Sequence, residues 1–555
     1  MTTAAPVLPI PSRARVAEGV AVTALFTALT CILTYPQVSR MATHTGVHYD
    51  TLFSIWRLAW IAHALPRQPL DVFDANIFAP AESALAYSDA MLLQGLIGSP
   101  LIWSGVDAVT TYNILVLLSF ISAGVAMYAL VRTLTGSTAL GVLGGLMFAF
   151  QPYRYAHYPQ LELLWTCWIP IAFIAFHRMF DRRSVRHGLL LGVAVGLQVW
   201  SCLYYALFLV TALAIVGTVS LLWLSWQQIG RLIAPAVAAV AVATALSLPY
   251  ALPYFDVRTE MGPRTKQELA GWSPRLDNYW STNAGNKFSE RLPRQVNHIE
   301  GVLFPGSATL ALAVLGVITG RRQHARRIFP YLAALVVAFD LSLGTHGILF
   351  DAARALIPPY QSLRVSGRMF VVVSACLIVL AGYGAAWLLD RTKMERRRWV
   401  AALLGGAVVI ETFSVPVVLR EVPQPSRVYR WLSLQPQTTI LEWPVPEPDN
   451  LGDTHEPEYM YFSTNHWHRL ANGYSGLYPD NYVTLLESLR GFPGARSLSD
   501  VRRRGIKFIV LHSRYAGDRY VSVIAQLKAA PEVEFLMADG PPADEVSIFG
   551  VRGVE

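Results

Sequence analysis

Long apolar segments separated by short polar ones recur along most of this chain. A helix that spans a bilayer needs about 20 mostly apolar residues. The composition agrees with such a chain, because 53% of its 555 residues are hydrophobic and 15% are charged, whereas a soluble domain carries roughly 25% charged residues. The sequence therefore predicts an α-helical polytopic membrane protein. About eleven spans are expected, near 18–38, 109–131, 137–152, 163–178, 188–203, 205–225, 232–252, 302–319, 329–344, 367–389 and 399–419.

Basic residues between the spans predict how the chain is oriented. Cytoplasmic loops of membrane proteins carry an excess of Lys and Arg. With the N-terminus inside, the arginine-rich loops 177–187, 320–327 and 390–398 all fall on the cytoplasmic side. Loop position thus accounts for the net charge of +8, and no nucleic-acid partner is expected. We interpret the N-terminal segment and first span as an uncleaved signal anchor. Alanine, arginine and proline richness is typical of GC-rich bacteria, so a bacterial inner (plasma) membrane is expected.

The composition changes after residue 419, where the apolar spans stop and a proline-rich linker, 422–427, follows. Helical and strand patterns then alternate, which is typical of a small α/β domain. Helices are predicted at 428–435, 482–492 and 499–505, and strands at 438–446, 507–512, 533–538 and 546–552. The predicted organisation is a membrane module, 1–419, and a periplasmic or extracellular α/β domain, 420–555.

The first external loop, 40–108, is long and acidic. Two apolar pieces within it, 51–65 and 90–103, are too short to span and are predicted to be interfacial helices. Trp56 and Trp60 suit a helix at headgroup level. The loop and the later external segments are where chemistry at the membrane surface is expected.

Asp50 follows the first span and begins the first of these apolar helices. A carboxylate at that position can cap the helix, or it can deprotonate an acceptor hydroxyl. The two roles are compatible, and both are kept open. Asp89, later in the same loop, is a candidate supporting acidic residue.

The short loop 148–165 concentrates ionisable and aromatic residues on the same external side. Glu162 lies among leucines and needs a partner, so Glu162 and His157 are candidate catalytic residues and Arg154 is a candidate phosphate ligand. An aromatic belt with a snorkelling arginine is the alternative interpretation. Three residues are assigned to that belt: Tyr153, Tyr155 and Tyr158.

Arg364 and Arg368 are four residues apart before the tenth span and would share a face if helical. External arginines run against the orientation rule, which leaves either an exception to it or a phosphate clamp, for which the forked guanidinium is suited. Arg264, with its basic neighbours, is a further candidate. Glu300, at the mouth of the eighth span, is explained by helix capping or a turn.

Several segments together resemble a known family. An aspartate directly behind the first span, in DTLFSIWRLAW (50–60), resembles the GT-C superfamily of integral membrane glycosyltransferases. FQPYRYAHYPQLELL (150–164), LRVSGRMF (363–370) and YMYFSTNHWHRLANGYSGLYP (459–479) resemble a group of large bacterial membrane proteins. The resemblance implies a polyprenyl-phosphate-linked sugar donor, with Asp50 as the base and Glu162 as a second acidic site.

The resemblance also implies a glycan, lipid or protein acceptor. A divalent cation (Mg²⁺ or Mn²⁺) is possible, but HYD (48–50) stands where a carboxylate pair would hold one. Aromatic residues of the tail, including Tyr474 and Tyr478, offer stacking faces for sugars, with an ordinary core as the alternative. A flippase for lipid-linked glycans would instead use Asp340 and Glu411 in the spans. A non-catalytic scaffold of the same fold is the third hypothesis.

Overall fold

The computed structural model describes residues 12–288, 298–452 and 454–554. Part of the predicted signal anchor, and part of the predicted external loop 253–301, lie outside these residues. The described chain is mostly helical, with a small sheet near the C-terminus. It is a multi-pass membrane protein, as the sequence predicts.

The first external loop contains two helices, close to where the sequence predicts them. Trp56 and Trp60 do not face the headgroups, however, because both are buried and their indole N–H groups donate to Asn76 and to the carbonyl of Val72. Nearly every side chain of this helix packs against protein. The first elements are α1 (Ser12–Leu33), β1 (His44–Gly46), α2 (Tyr49–Ala64), α3 (Leu92–Trp103) and α4 (Ala108–Thr135).

The next segments follow the predicted division of the apolar stretch 188–225, which breaks at Cys202. The predicted seventh span is much longer than expected: its helix has 36 residues, about 54 Å. It therefore continues into the segment assigned to the external loop. These elements are α5 (Thr138–Ala149), α6 (Pro152–Ala156), α7 (Leu161–Leu164), α8 (Trp168–Arg182), α9 (Val185–Ser201), α10 (Leu203–Leu221) and α11 (Trp226–Met261).

The last membrane helices pack around one central helix, α16, whose residues are almost all buried. Gly316 and Gly384 allow α13 and α16 to touch, because a Cβ on Gly384 would lie 2.0 Å from the carbonyl oxygen of Leu312. The helices of this part of the chain, two of them short and between predicted spans, are α12 (Lys266–Trp272), α13 (Ser307–Gly320), α14 (Ala325–Ser342), α15 (Phe350–Leu356), α16 (Phe370–Asp390) and α17 (Met394–Thr412).

Each of the eleven predicted spans contains a helix of this set. Six helical segments of the described chain are long and apolar enough to cross a membrane by length and composition. The number of crossings therefore stays a prediction. α1 and α11 are mostly exposed apolar surface, as expected for helices that face lipid.

The C-terminal region contains a five-stranded mixed sheet in the order β4-β3-β5-β7-β6. β3 pairs in parallel with β4 and β5, and β7 pairs antiparallel with β5 and β6. All four predicted strands form, and five elements were not predicted: β2, α19, β4, α22 and α23. The elements are β2 (Leu419–Glu421), α18 (Arg427–Leu432), β3 (Thr439–Trp443), α19 (Glu456–Ser463), β4 (Arg469–Leu470), α20 (Asp480–Leu489), α21 (Ala495–Arg503), β5 (Ile506–His512), α22 (Ser513–Ala516), α23 (Arg519–Ala529), β6 (Val533–Asp539) and β7 (Val546–Val551).

Two backbone pairings join the C-terminal region to the membrane part. β2 pairs antiparallel with β1, directly before α2. The first external loop also runs along β4, where the N–H groups of Phe78 and Ala79 donate to the carbonyls of Asn472 and Leu470. The sheet edge is thus covered by the loop that carries Asp50, which fixes the sheet against that loop.

Candidate functional site

Asp50 lies in the first turn of α2, where its carboxylate contacts side chains from three separate parts of the chain. Gln160 donates to Oδ2 at 2.7 Å, and the hydroxyl of Tyr474 donates to Oδ1 at 2.9 Å. Nδ1 of His48 lies 3.3 Å from Oδ2. The helix is capped by His48 and not by Asp50. The carboxylate is therefore available for a role other than capping.

These contacts control the ionisation of Asp50. Burial opposes the charged form, but the hydrogen bonds from His48, Gln160 and Tyr474 outweigh burial and hold the pKa of Asp50 well below its usual range. The side chain is 15% exposed, so it keeps a route to the surface. The carboxylate is therefore ionised and able to accept a proton, and the same contacts that lower its pKa also make it a weaker base.

His48 has two alternative roles at one ring nitrogen. Its Nδ1 lies 3.2 Å from the backbone N of Asp50 and 3.3 Å from the Asp50 carboxylate. A neutral ring accepts from the amide, whereas a protonated ring donates to the carboxylate. Burial lowers the pKa of His48, but the Asp50 carboxylate outweighs burial and raises it overall.

Glu162 forms a buried ion pair with a residue that the sequence did not single out. Nη2 of Arg57, on the same helix face as Asp50, lies 3.1 Å from Oε2 of Glu162. Arg57 also donates to Ser54 and to the backbone carbonyl of Asp89. Arg57 thus neutralises Glu162 beside the Asp50 cluster, which favours a positioning role for this second acidic residue.

Asp89 completes this side of the cluster. Its Oδ2 accepts from the backbone N–H of Leu203 at 2.7 Å, at the start of α10. Burial, followed by the charge of Glu162, raises the pKa of Asp89 to about 6. The supporting acidic residue therefore lies near the predicted catalytic pair and anchors the first external loop to α10.

His157, Glu300 and Arg368 form a second cluster. Nε2 of His157 lies 3.0 Å from Glu300, and Arg368 contacts the same carboxylate through Nε at 3.0 Å and Nη2 at 2.5 Å. His157 is fully buried, and the Glu300 side chain is 4% exposed. Burial opposes ionisation, but the charges of Arg368 and His157 hold the pKa of Glu300 well below its usual range. Glu300 is the centre of an ion-pair network and not a helix cap.

Arg364 differs from Arg368 because no carboxylate among residues 12–288, 298–452 and 454–554 pairs with it. Its guanidinium carbon lies 5.1 Å from the ring centre of Trp272, and the side chain is half-buried. The charge of Arg364 opposes the rise in the pKa of Tyr474 that burial and Asp50 cause. Arg364 therefore acts electrostatically on Tyr474, a partner of Asp50, and its forked guanidinium is of the kind that binds phosphate.

Arg154 is buried in protein. Its Nη1 donates to the carbonyl of Leu164 at 2.7 Å and to Thr166 at 2.8 Å, and the guanidinium lies over Phe120. At 1% exposure, it has no edge that a phosphate reaches without rearrangement. The tyrosines assigned to the belt are also buried, and their hydroxyls contact protein: Tyr153, Tyr155 and Tyr158.

The residues suggested by the transporter hypothesis cap helices instead. The Asp340 carboxylate accepts from the backbone N–H groups of Ile348 and Leu349, just before α15. Glu411 accepts from the backbone N–H of Ala308, in the first turn of α13. Both carboxylates are thus engaged by backbone donors at helix starts, which explains them as structural residues.

The residues of the site do not fit the divalent cation that the resemblance leaves possible. Glu162 is already neutralised by Arg57, and three donors point at Asp50. The described chain contains no group of three or more His, Cys, Asp or Glu positioned to hold a metal ion. A cation would have to displace Arg57 from Glu162, or the three side chains that contact Asp50.

Three residues of the site had no clear signal in the sequence. Arg57 lies within an apolar helix, and Gln160 lies in a polar loop. Tyr474 is one of several tail aromatics. Arginine inside an apolar helix was the available signal, because a buried guanidinium requires a partner. The Asp50 contact to Tyr474 joins residues 424 positions apart and has no local signature.

The comparisons with known proteins are consistent with this architecture. A family model described as a domain of unknown function (DUF6311) matches residues 63–414. No curated protein matches the sequence. The structure is similar to the arabinofuranosyltransferase AftD from Mycobacteria, with a TM-score of 0.57 and 14% identity over 98% of this chain and 40% of that one. A mutant of the same protein, R1389S, gives a TM-score of 0.60 and 13% identity over 95% of this chain and 41% of that one.

The chain thus spans about 40% of the length of the AftD structures. At this level of identity, the likeness shows the fold alone. That fold is the one found in GT-C glycosyltransferases, as the sequence resemblance predicts.

Proposed function

Because this chain belongs to the DUF6311 family and has the GT-C fold, we propose that it is a membrane glycosyltransferase that uses a polyprenyl-phosphate-linked sugar. The observation that carries the proposal is the Asp50 cluster. An ionised, partly exposed carboxylate lies where several predicted external segments meet, and its partner Tyr474 feels the charge of Arg364, which pairs with no carboxylate of the described residues. We place this face outside the cytoplasm, at a bacterial inner membrane.

In the proposed reaction, Asp50 accepts the proton of an acceptor hydroxyl as its oxygen attacks the anomeric carbon. The new C–O bond forms as the bond from that carbon to the phosphate oxygen breaks, and polyprenyl phosphate leaves with the electron pair. Attack from the face opposite the phosphate inverts the anomeric centre. The base contributes typically 10²–10⁴-fold to the rate of such a step.

Arg364 is the proposed ligand of the departing phosphate. Negative charge on the phosphate increases as the glycosidic bond breaks, and a guanidinium nearby stabilises that charge. Arg368 is committed to Glu300, and Arg154 is buried, so they are left with supporting roles. A lipid-linked donor is required because nucleotide sugars are not supplied outside the cytoplasm.

The test is donor consumption by the purified full chain in nanodiscs. Short-chain polyprenyl-phosphate sugars, including an arabinofuranose donor because the similar structures are of an arabinofuranosyltransferase, are incubated with lipid, glycan or peptide acceptors. Released polyprenyl phosphate is measured by mass spectrometry, with and without EDTA. We expect release by the wild type, and a loss of about 10²–10⁴-fold in Asp50→Asn.

Asp71→Asn is the matched control, because Asp71 is an exposed carboxylate of the same loop. It should release polyprenyl phosphate at the wild-type rate. Release that persists in Asp50→Asn would show that Asp50 is not the base. No release from any donor in the panel would favour a scaffold of the same fold.

A further inference from the structure

The hydrogen bonds to Asp50 are distributed unequally between its two oxygens. Oδ2 accepts from Gln160 at 2.7 Å and lies 3.3 Å from His48 Nδ1. Oδ1 has one partner, the hydroxyl of Tyr474 at 2.9 Å. A carboxylate offers about four lone-pair positions. Two side chains thus lie beside Oδ2 and one beside Oδ1, so the less crowded oxygen of Asp50 is Oδ1, beside Tyr474.

Tyr474 is held in place from several directions. Its ring packs edge-on against Phe53 of α2, with ring centres 5.4 Å apart. Its backbone N–H donates to the sulfur of Met460 at 3.2 Å. The preceding Gly473 lies against Phe78, where an added Cβ would come within 2.6 Å of the ring. The hydroxyl therefore reaches Asp50 from a fixed backbone.

The base of the loop that carries Tyr474 is also fixed, by a buried polar network in the sheet. Asn472 exchanges hydrogen bonds with the backbone of Glu442 on β3, at 2.7 and 3.0 Å. Its amide also donates to Glu456 at 2.9 Å, and that carboxylate accepts from Tyr482 as well. All four side chains are fully or almost fully buried. The sheet thus fixes Tyr474 against a residue of the membrane part.

We infer that Tyr474 is a positioning residue of the active site, which orients Asp50 so that the acceptor hydroxyl approaches Oδ1. This inference rests on the proposed role of Asp50 as base. It makes the C-terminal region part of the catalytic site, even though Asp50 and Tyr474 both lie outside residues 63–414, which the family model matches.

The test is an infrared titration of Asp50 in the full chain in nanodiscs, which needs no substrate. Difference spectra between wild type and Asp50→Asn isolate the carboxyl band, and its midpoint is followed with pH. Tyr474→Phe keeps the ring but removes a hydrogen bond to the ionised form. We expect the midpoint to rise by about one pH unit. The acidic limb of the rate profile should move upward by the same amount.

Tyr520→Phe is the matched control, because it removes a buried hydroxyl of the same region that lies 2.8 Å from both Oε1 of Glu545 and Oγ of Ser547. It should leave the Asp50 midpoint unchanged. An unmoved midpoint in Tyr474→Phe, in a protein with wild-type melting temperature, would overturn the inference. Activity retained by Asp50→Asn would instead refute the proposed function, and the infrared midpoint would still report whether Tyr474 contacts Asp50.

Discussion

The Asp50 and Glu300 clusters have similar ionisation but are built differently. Hydrogen bonds and charges lower the pKa of both carboxyl groups against the effect of burial. The Glu300 side chain is 4% exposed and is contacted by the guanidinium of Arg368 and by the buried ring of His157. Asp50 is 15% exposed, and two of its three contacts are the neutral donors Gln160 and Tyr474.

In the proposed function, this difference separates a structural carboxylate from the catalytic base. The negative charge of Glu300 is cancelled by Arg368, so protonation would leave a buried cation without a partner. Neutral donors orient Asp50 without cancelling its charge, which suits its proposed role as proton acceptor. The two nearby arginines show the same division, since Arg368 pairs with Glu300 and Arg364 pairs with no carboxylate of the described residues.

The largest expected effect is on stability, at Glu300. Glu300→Gln keeps the shape but leaves Arg368 and His157 without their anion in a buried position. Breaking one side of a buried pair costs about 3–5 kcal/mol. We expect a large fall in the melting temperature of the protein in nanodiscs, measured by intrinsic fluorescence.

The control for this prediction is Asp50→Asn, which loses one acceptor oxygen but leaves no buried arginine without its anion, so it should lower the melting temperature less. Equal destabilisation by the two variants would remove the distinction between the clusters. The double variant Glu300→Gln with Arg368→Gln removes both charges and should recover part of the lost stability.

Hydropathy predicted the helices of the membrane part, because the bilayer imposes a length and a polarity on each helix, whereas the orientation expected from the basic loops stays a prediction. The segments assigned to the outside meet at the site: Asp50, Gln160, Glu300, Arg364 and Tyr474 all come from them. The burial of α2 was not predictable in this way. Its tryptophans have the composition of an interfacial helix, and only the tertiary fold covers them with protein.

The candidate site was predictable as a set of residues but not as a set of contacts. Asp50 and Glu162 were identified because ionisable residues near a membrane are costly. Tyr474, the partner of Asp50, lies 424 positions away in sequence, and Arg57, the partner of Glu162, lies 105 positions away. No local periodicity encodes such pairs. For the same reason, the sequence does not distinguish Arg364 from Arg368, whose surroundings differ in the structure.

The next largest effect is expected at Arg364. Arg364→Ala removes a guanidinium that pairs with no carboxylate of the described residues, so the melting temperature should stay near that of the wild type. A charged hydrogen bond to phosphate contributes about 1.5–3 kcal/mol, and because this one strengthens as the phosphate departs, we expect kcat/KM for the lipid-linked donor to fall about 10–100-fold. Steady-state kinetics of polyprenyl phosphate release measure it. Arg275→Ala, at an exposed arginine of the same face, should change neither quantity.

The smallest effect is expected at His48, and it depends on pH. The Asp50 carboxylate outweighs burial and raises the pKa of His48, so the ring pairs with Asp50 at low pH and releases it as the pH rises through that raised pKa. Glu300 adds to the same shift through its charge. Loss of the positive charge makes Asp50 a stronger base, so kcat should increase over a pH interval above about 6.5, the ordinary value for histidine. His48→Gln should remove that increase and change kcat by less than about tenfold. A pH–rate profile of the variant that keeps the increase would show that His48 does not control the base.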